Sequence, residues 1–157
     1  RQPQSYLLNY VKCNGTGNNM NLLEEFIAAK AEYLRLINEH GSDIMADLIL
    51  KLHQEYPNFN VLSIKGTTPE WNDGDTCEHS SEVNVYYVDD DVEHDLELPD
   101  GFEYNVGLTR EEAREIEKEL NLIDDMLVEM YGTNYKLAAA IVDGQVQVNH
   151  EEYYCGY

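Results

Sequence analysis

Apolar residues recur at helical spacing from Met20 or Asn21 to about His40, where Leu23, Phe26, Ile27, Leu34 and Ile37 share one face. Gly41 is expected to stop that helix, and Ser42 reads as the N-cap of a second one carrying Ile44, Leu48, Leu52 and Tyr56 on one side. Pro57 ends it, so the two predict a helical hairpin with a one- or two-residue connection. Phe59 to Ile64 and Glu82 to Val88 read as strands, joined by a polar loop from Gly66 to Ser81. Asp89 to Asn105 is an acidic connector with a Pro99-Asp100-Gly101 turn. Thr109-Arg110-Glu111-Glu112 is a capping box opening a helix with Ala113, Ile116, Leu120, Ile123, Leu127 and Met130 on one stripe and Gly132 as its stop. Leu137 to Val142, Asp143-Gly144, then Gln145 to about Tyr154 predicts a hairpin with a type I′ turn.

The order ααββαββ predicts an α+β domain: a mainly antiparallel sheet of about four strands packed against three helices. Arg1 to Asn19 has no clear period and reads as an irregular segment ahead of one domain over residues 20–157. A length of 157 residues suits a single core, and 43% hydrophobic residues with 12 Tyr set the chain apart from a disordered acidic tail. No apolar run reaches the roughly 18–20 residues a membrane span needs, and no basic-then-apolar leader is visible. The cysteines, Cys13, Cys77 and Cys155, are few, odd in number and far apart, which reads as reduced thiols and predicts a cytoplasmic location.

Charge changes the picture most. The formal net charge is −21, and no Lys or Arg occurs between Lys65 and Arg110, while acids run from Glu70 to Glu103. A polyanion of this kind repels nucleic acid and anionic membranes and attracts basic partners. Direct nucleic-acid binding is excluded further by the absence of a basic patch interleaved with aromatics. Within the stretch, Asp89, Asp90, Asp91, Glu93, Asp95 and Glu97 form the densest run. One reading is a solvated surface. The other is a partner-binding surface that imitates a phosphate backbone: at one charge per roughly 1.7 Å, 21 charges match about 36 Å of duplex.

The loop from Thr68 to His79 is the other concentration of chemistry. Pro69 restrains the backbone, Asn72, Asp73 and Gly74 make a turn, and Trp71 is a natural anchor. Asp73 and Asp75 offer oxygens to a hard cation, and Cys77 and His79, two apart, can point the same way on an extended chain. These four are the metal candidates, although the calcium-loop spacing is absent and zinc would need two further ligands. No phosphate-cradling glycine loop, nucleophile elbow or His-Glu-x-x-His pair occurs, so no cofactor is expected and the chain reads as non-enzymatic.

Pro69, Trp71, Asn72, Asp73, Gly74, Asp75 and Cys77, with Thr68 before them, resemble a T-P-x-[F/W]-N-D-G-x-x-C signature of small, uncharacterised proteins of bacteriophages and bacteria. The resemblance covers about ten residues and implies an origin, a phage-encoded protein, without an activity. With the charge it predicts an acidic interaction protein that occupies a basic or nucleic-acid-binding surface of a host protein, as a DNA mimic or inhibitor. The alternatives are a metal-binding domain or metal-dependent enzyme built on residues 71–79, and a structural component of a phage particle. The apolar stripe of the 109–131 helix offers either a face for the chain's own sheet or a homodimer seam.

Overall fold

A computed structural model describes residues 18–70, 73–88 and 99–154. The elements follow as α1 (Asn18–Glu55), β1 (Val61–Thr67), β2 (Ser80–Asn84), α2 (Arg110–Asn121), α3 (Asp124–Tyr131), β3 (Tyr135–Val142) and β4 (Gln145–Glu152). The four strands form one sheet in the order β2-β1-β3-β4, with every neighbouring pair antiparallel. The α+β class, the antiparallel sheet and the three helices are therefore those the residue pattern predicts, but the helices are distributed differently. By its contacts the chain divides after Leu36, into residues up to Leu36 and a second unit, Ile37–Tyr157. That division falls inside α1.

Gly41 does not stop a helix, and no hairpin forms around Ser42: α1 continues unbroken to Glu55. The glycine is there for packing. Gly41 is buried, and a Cβ on it would lie 2.7 Å from the Met130 Sδ atom of α3. Helix interiors tolerate glycine at about 1 kcal/mol, which close approach of a neighbour can offset. The second departure is the span 109–131, which is two helices. Leu122 N–H and Ile123 N–H donate to carbonyls three residues back, Glu119 (3.2 Å) and Leu120 (3.2 Å), and this tightened turn separates α2 from α3.

Local signals hold where the pattern placed them. Glu112 N–H donates to Thr109 Oγ1 (3.2 Å) while Thr109 N–H donates to Glu112 Oε2 (3.1 Å), which closes the capping box on α2. Gly132, at φ 86°, caps α3. Asp143 and Gly144 both take positive φ (51° and 74°), as a type I′ turn demands between β3 and β4.

In the second unit one face of the sheet is covered by helices. Leu62 and Ile64 of β1, with Tyr135, Leu137 and Ala139 of β3, meet Met45, Ile49 and Leu52 of α1, Ile116 and Leu120 of α2 and Leu127 of α3. Of the stripe predicted on the 109–131 span, Ala113, Ile116, Leu120 and Leu127 are buried, and Ile123 and Met130 are half-buried against the same core. On the opposite face a smaller cluster forms from Val61, Tyr86 and Ala140 against Phe102 and Tyr104.

Candidate functional site

Where β1 ends, Thr68 begins a polar cluster that joins three segments. Its amide donates to Asn134 Oδ1 (2.9 Å), its hydroxyl lies 2.8 Å from His79 Nδ1, and the same hydroxyl reaches the Thr133 carbonyl at 3.2 Å. The other ring nitrogen, His79 Nε2, lies 3.4 Å from Asp124 Oδ1, and Tyr135 O–H donates to that oxygen at 3.2 Å. The His79 ring is stacked on Tyr135 with centroids 6.3 Å apart. Burial, with the Asp124 carboxylate beside it, holds the Tyr135 phenol far above its ordinary range, so it stays a proton donor.

Hydroxyl, imidazole and carboxylate occur here in the order of a nucleophilic triad. The proton inventory argues for a clasp instead. Asp124 is an acceptor, so His79 Nε2 carries hydrogen; with a neutral ring, Nδ1 then accepts the Thr68 proton. With a charged ring, Thr68 accepts from Nδ1 and donates to the Thr133 carbonyl. In both states the hydroxyl is bonded inside the chain, and the Thr68 amide is bonded to Asn134 rather than offered to an oxyanion. The cluster fastens the 68–79 loop to the start of α3 and the turn before β3.

The predicted loop residues are distributed around this clasp. Asp73 (φ 46°) and Gly74 (φ 92°) form a turn, with Asp73 and Asp75 exposed. Pro69 is half-buried, and so is Cys77, a free thiol. Tyr154 O–H donates to Glu70 (3.1 Å) on the same loop. His79 is held by Thr68 and Asp124, and among the described residues no three His, Cys, Asp or Glu side chains gather as metal ligands. Trp71, Asn72, Asp89, Asp90, Asp91, Glu93, Asp95 and Glu97 lie outside the described residues.

The sheet's open face holds an arrangement that the chain order conceals. Register sets Glu82, Lys65, Lys136 and Glu151 directly opposite one another across β2, β1, β3 and β4. Both lysine ammonium groups sit over the Tyr153 ring, at 4.9 and 5.1 Å from its centroid. Two like charges side by side are unfavourable in a sheet, and the aromatic face and flanking carboxylates offset them. Beside the row, Ser63, Asn84, Tyr86, Phe102 and Asn149 line a cavity of about 570 Å³, with the Ser63 and Tyr86 hydroxyls 2.6 Å apart. Lysines 71 positions apart in the chain give no local signal; only strand register brings them together.

The helical layer of the second unit is net acidic: twelve Asp and Glu lie on α1 from Glu39 onward, α2 and α3, against Lys51, Arg110, Arg114 and Lys118. Within the second unit, exposed Glu39, Asp43 and Glu55 lie on α1, and exposed Glu111, Glu115, Asp125 and Glu129 lie on α2 and α3. Lys51 reaches Glu55 at 3.9 Å and Lys118 reaches Glu115 at 2.8 Å, so these cations are paired with acids of their own helix. Charge is segregated by layer: a balanced row on the sheet and an acidic surface on the helices. No family model, curated protein or solved structure matches the chain. No described helix is long and apolar enough to cross a membrane.

Proposed function

We propose that this is a non-enzymatic interaction protein whose acidic helical surface docks onto a basic, nucleic-acid-binding surface of a partner protein. The observation that supports this is the segregation of charge: Glu111, Glu115, Asp125 and Glu129 stay exposed on α2 and α3, while the two sheet lysines are balanced on the opposite side of the sheet. Carboxylates fixed on rigid helices keep their spacing, which a flexible acidic tail would not, and fixed spacing is what imitation of a phosphate backbone requires. The acids from Asp89 to Glu97 belong to the same reading.

Binding of this type weakens steeply with salt. Immobilised protein should retain basic nucleic-acid-binding proteins from a bacterial lysate at about 50 mM salt and release them by about 500 mM, and duplex DNA should compete. Neutralising Glu111, Glu115, Asp125 and Glu129 to the corresponding amides should reduce retention on its own. The Asp89, Asp90, Asp91, Glu93, Asp95 and Glu97 set, changed separately, measures the contribution of the connector. Retention indifferent to salt and to duplex competitor would overturn the reading.

A further inference from the structure

The first unit of the chain carries an apolar face that no part of the described chain covers. On α1, Leu22 (63% exposed), Leu23, Phe26 (67%), Ile27, Tyr33 and Leu36 are all large, apolar and exposed. Taking about 150–250 Å² for a fully exposed large side chain, these six present roughly 600 Å² per copy. That is at the top of the patch size a monomer ordinarily leaves open, about 300–600 Å²; the four that fall on the seam described next, Leu22, Phe26, Tyr33 and Leu36, account for roughly 400 Å² of it, about half of the roughly 800 Å² each partner contributes to a standard interface.

The spacing within this face selects its occupant. Leu22, Phe26, Ala29, Tyr33 and Leu36 are separated by four, three, four and three residues, which is the d-a-d-a-d seam of a two-heptad coiled coil. On that register Glu25 and Glu32 fall at g positions and Lys30 falls at e. Glu32 is held by Arg35 of its own helix through two bonds, at 2.6 and 2.8 Å. A parallel, in-register second copy would set Glu25 of each helix beside Lys30 of the other, the g-to-e spacing of five that such pairs use. An antiparallel copy would bring Glu25 and Glu32 together on one flank, acid against acid. Ala29, the small residue at the middle d position, allows the two backbones to approach between the bulky Phe26 and Tyr33 layers.

We propose that residues 22–36 form the seam of a parallel, in-register homodimer, with reciprocal Glu25–Lys30 pairs across it. Two heptads make a short coil, so self-association is expected to be weaker than that of coils of three or more heptads. Sedimentation equilibrium on the full chain, from about 5 µM to about 500 µM at physiological salt, tests it. The expected result is a reversible monomer–dimer equilibrium, weakened at least tenfold by Phe26→Glu or Tyr33→Glu with the helical circular dichroism retained.

Lys30→Glu, at an exposed flank that leaves the fold alone, should weaken the dimer by roughly three- to tenfold. The double exchange Glu25→Lys with Lys30→Glu should restore it to within about twofold, since it re-forms the pairs in reverse. A chain that stays monomeric to the highest concentration overturns the proposal, and so does a dimer indifferent to Phe26→Glu. A dimer that the double exchange fails to restore overturns the parallel pairing.

Discussion

Asn105 joins three segments of backbone through one buried side chain. Its side chain is 1% exposed, its Oδ1 accepts from the amides of Asn60 (2.8 Å) and Val61 (3.0 Å), and its Nδ2 donates to the carbonyls of Val61 (2.9 Å) and Val85. Its own amide donates to the Tyr86 carbonyl at 2.8 Å. One amide side chain therefore supplies two acceptances and two donations at the point where β1 begins and the chain leaves β2. Asn105→Leu removes all four and leaves buried backbone groups without partners, at about 1–3 kcal/mol each before relaxation. Its expected destabilisation is about 3–5 kcal/mol, measured by urea denaturation. A loss under 1 kcal/mol would mean that water reaches those groups.

Tyr135 makes a second prediction at the same scale. Its phenol is held above the ordinary value of 10.0 by burial and by Asp124. A raised acid stays protonated in the folded chain while the unfolded chain begins to lose its proton near pH 10. The stability this contributes is complete below pH 10 and is lost as pH rises beyond it. Tyr135→Phe should cost about 1 kcal/mol at pH 7 through the lost bond to Asp124, and its melting temperature should fall less steeply than the wild type's above about pH 10. Parallel alkaline limbs for the two proteins would remove Tyr135 as the responsible group.

At the scale of elements, what could be read ahead of the structure was what short stretches encode. The Thr109–Glu112 box, the Gly132 cap and the Asp143-Gly144 turn each depend on residues within four positions of one another, and each formed as expected. Gly41 reads as a helix stop because its partner, Met130, lies 89 positions away, and nothing local distinguishes a glycine that ends a helix from one that admits a neighbour. The break between α2 and α3 leaves no mark in the pattern for a related reason: the apolar stripe runs through it in phase, so periodicity is blind to a single tightened turn. The Lys65–Lys136 pair and the Thr68–His79–Asp124 clasp also needed register and long loops to exist. The Gly41 reading is testable by a double-mutant cycle. Gly41→Ala alone should give less than the full helix-propensity gain, or a net loss, because its Cβ presses on Met130. In a Met130→Ala background the same change should stabilise by about 0.5–1 kcal/mol, giving a coupling of about 1 kcal/mol. Additive effects would show that the two helices do not meet at this point.

For the whole molecule, the charge that motivates the proposed function should also act against the fold. With formal net charge −21, the folded chain holds its carboxylates closer together than the unfolded chain does. Screening relieves this, since the Debye length falls from about 30 Å at 0.01 M salt to about 10 Å at 0.1 M. Raising NaCl from about 10 mM to about 300 mM at pH 7 should therefore stabilise the protein by about 1–2 kcal/mol, a rise of roughly 3–8 °C in melting temperature for a chain of this length. The gain should level off once the Debye length is shorter than the carboxylate spacing. It should also shrink at about pH 5, nearer the isoelectric point of 4.3, where less charge remains to be screened. A rise of equal size at both pH values, continuing linearly into molar salt, would belong to salt effects on apolar burial and not to repulsion. The two consequences of one charge distribution then have opposite signs: salt should strengthen the fold over the range in which it loosens a basic partner. A partner lost between 50 and 500 mM salt while the melting temperature climbs cannot have been lost to unfolding, which makes the pair of measurements decisive where either alone is not.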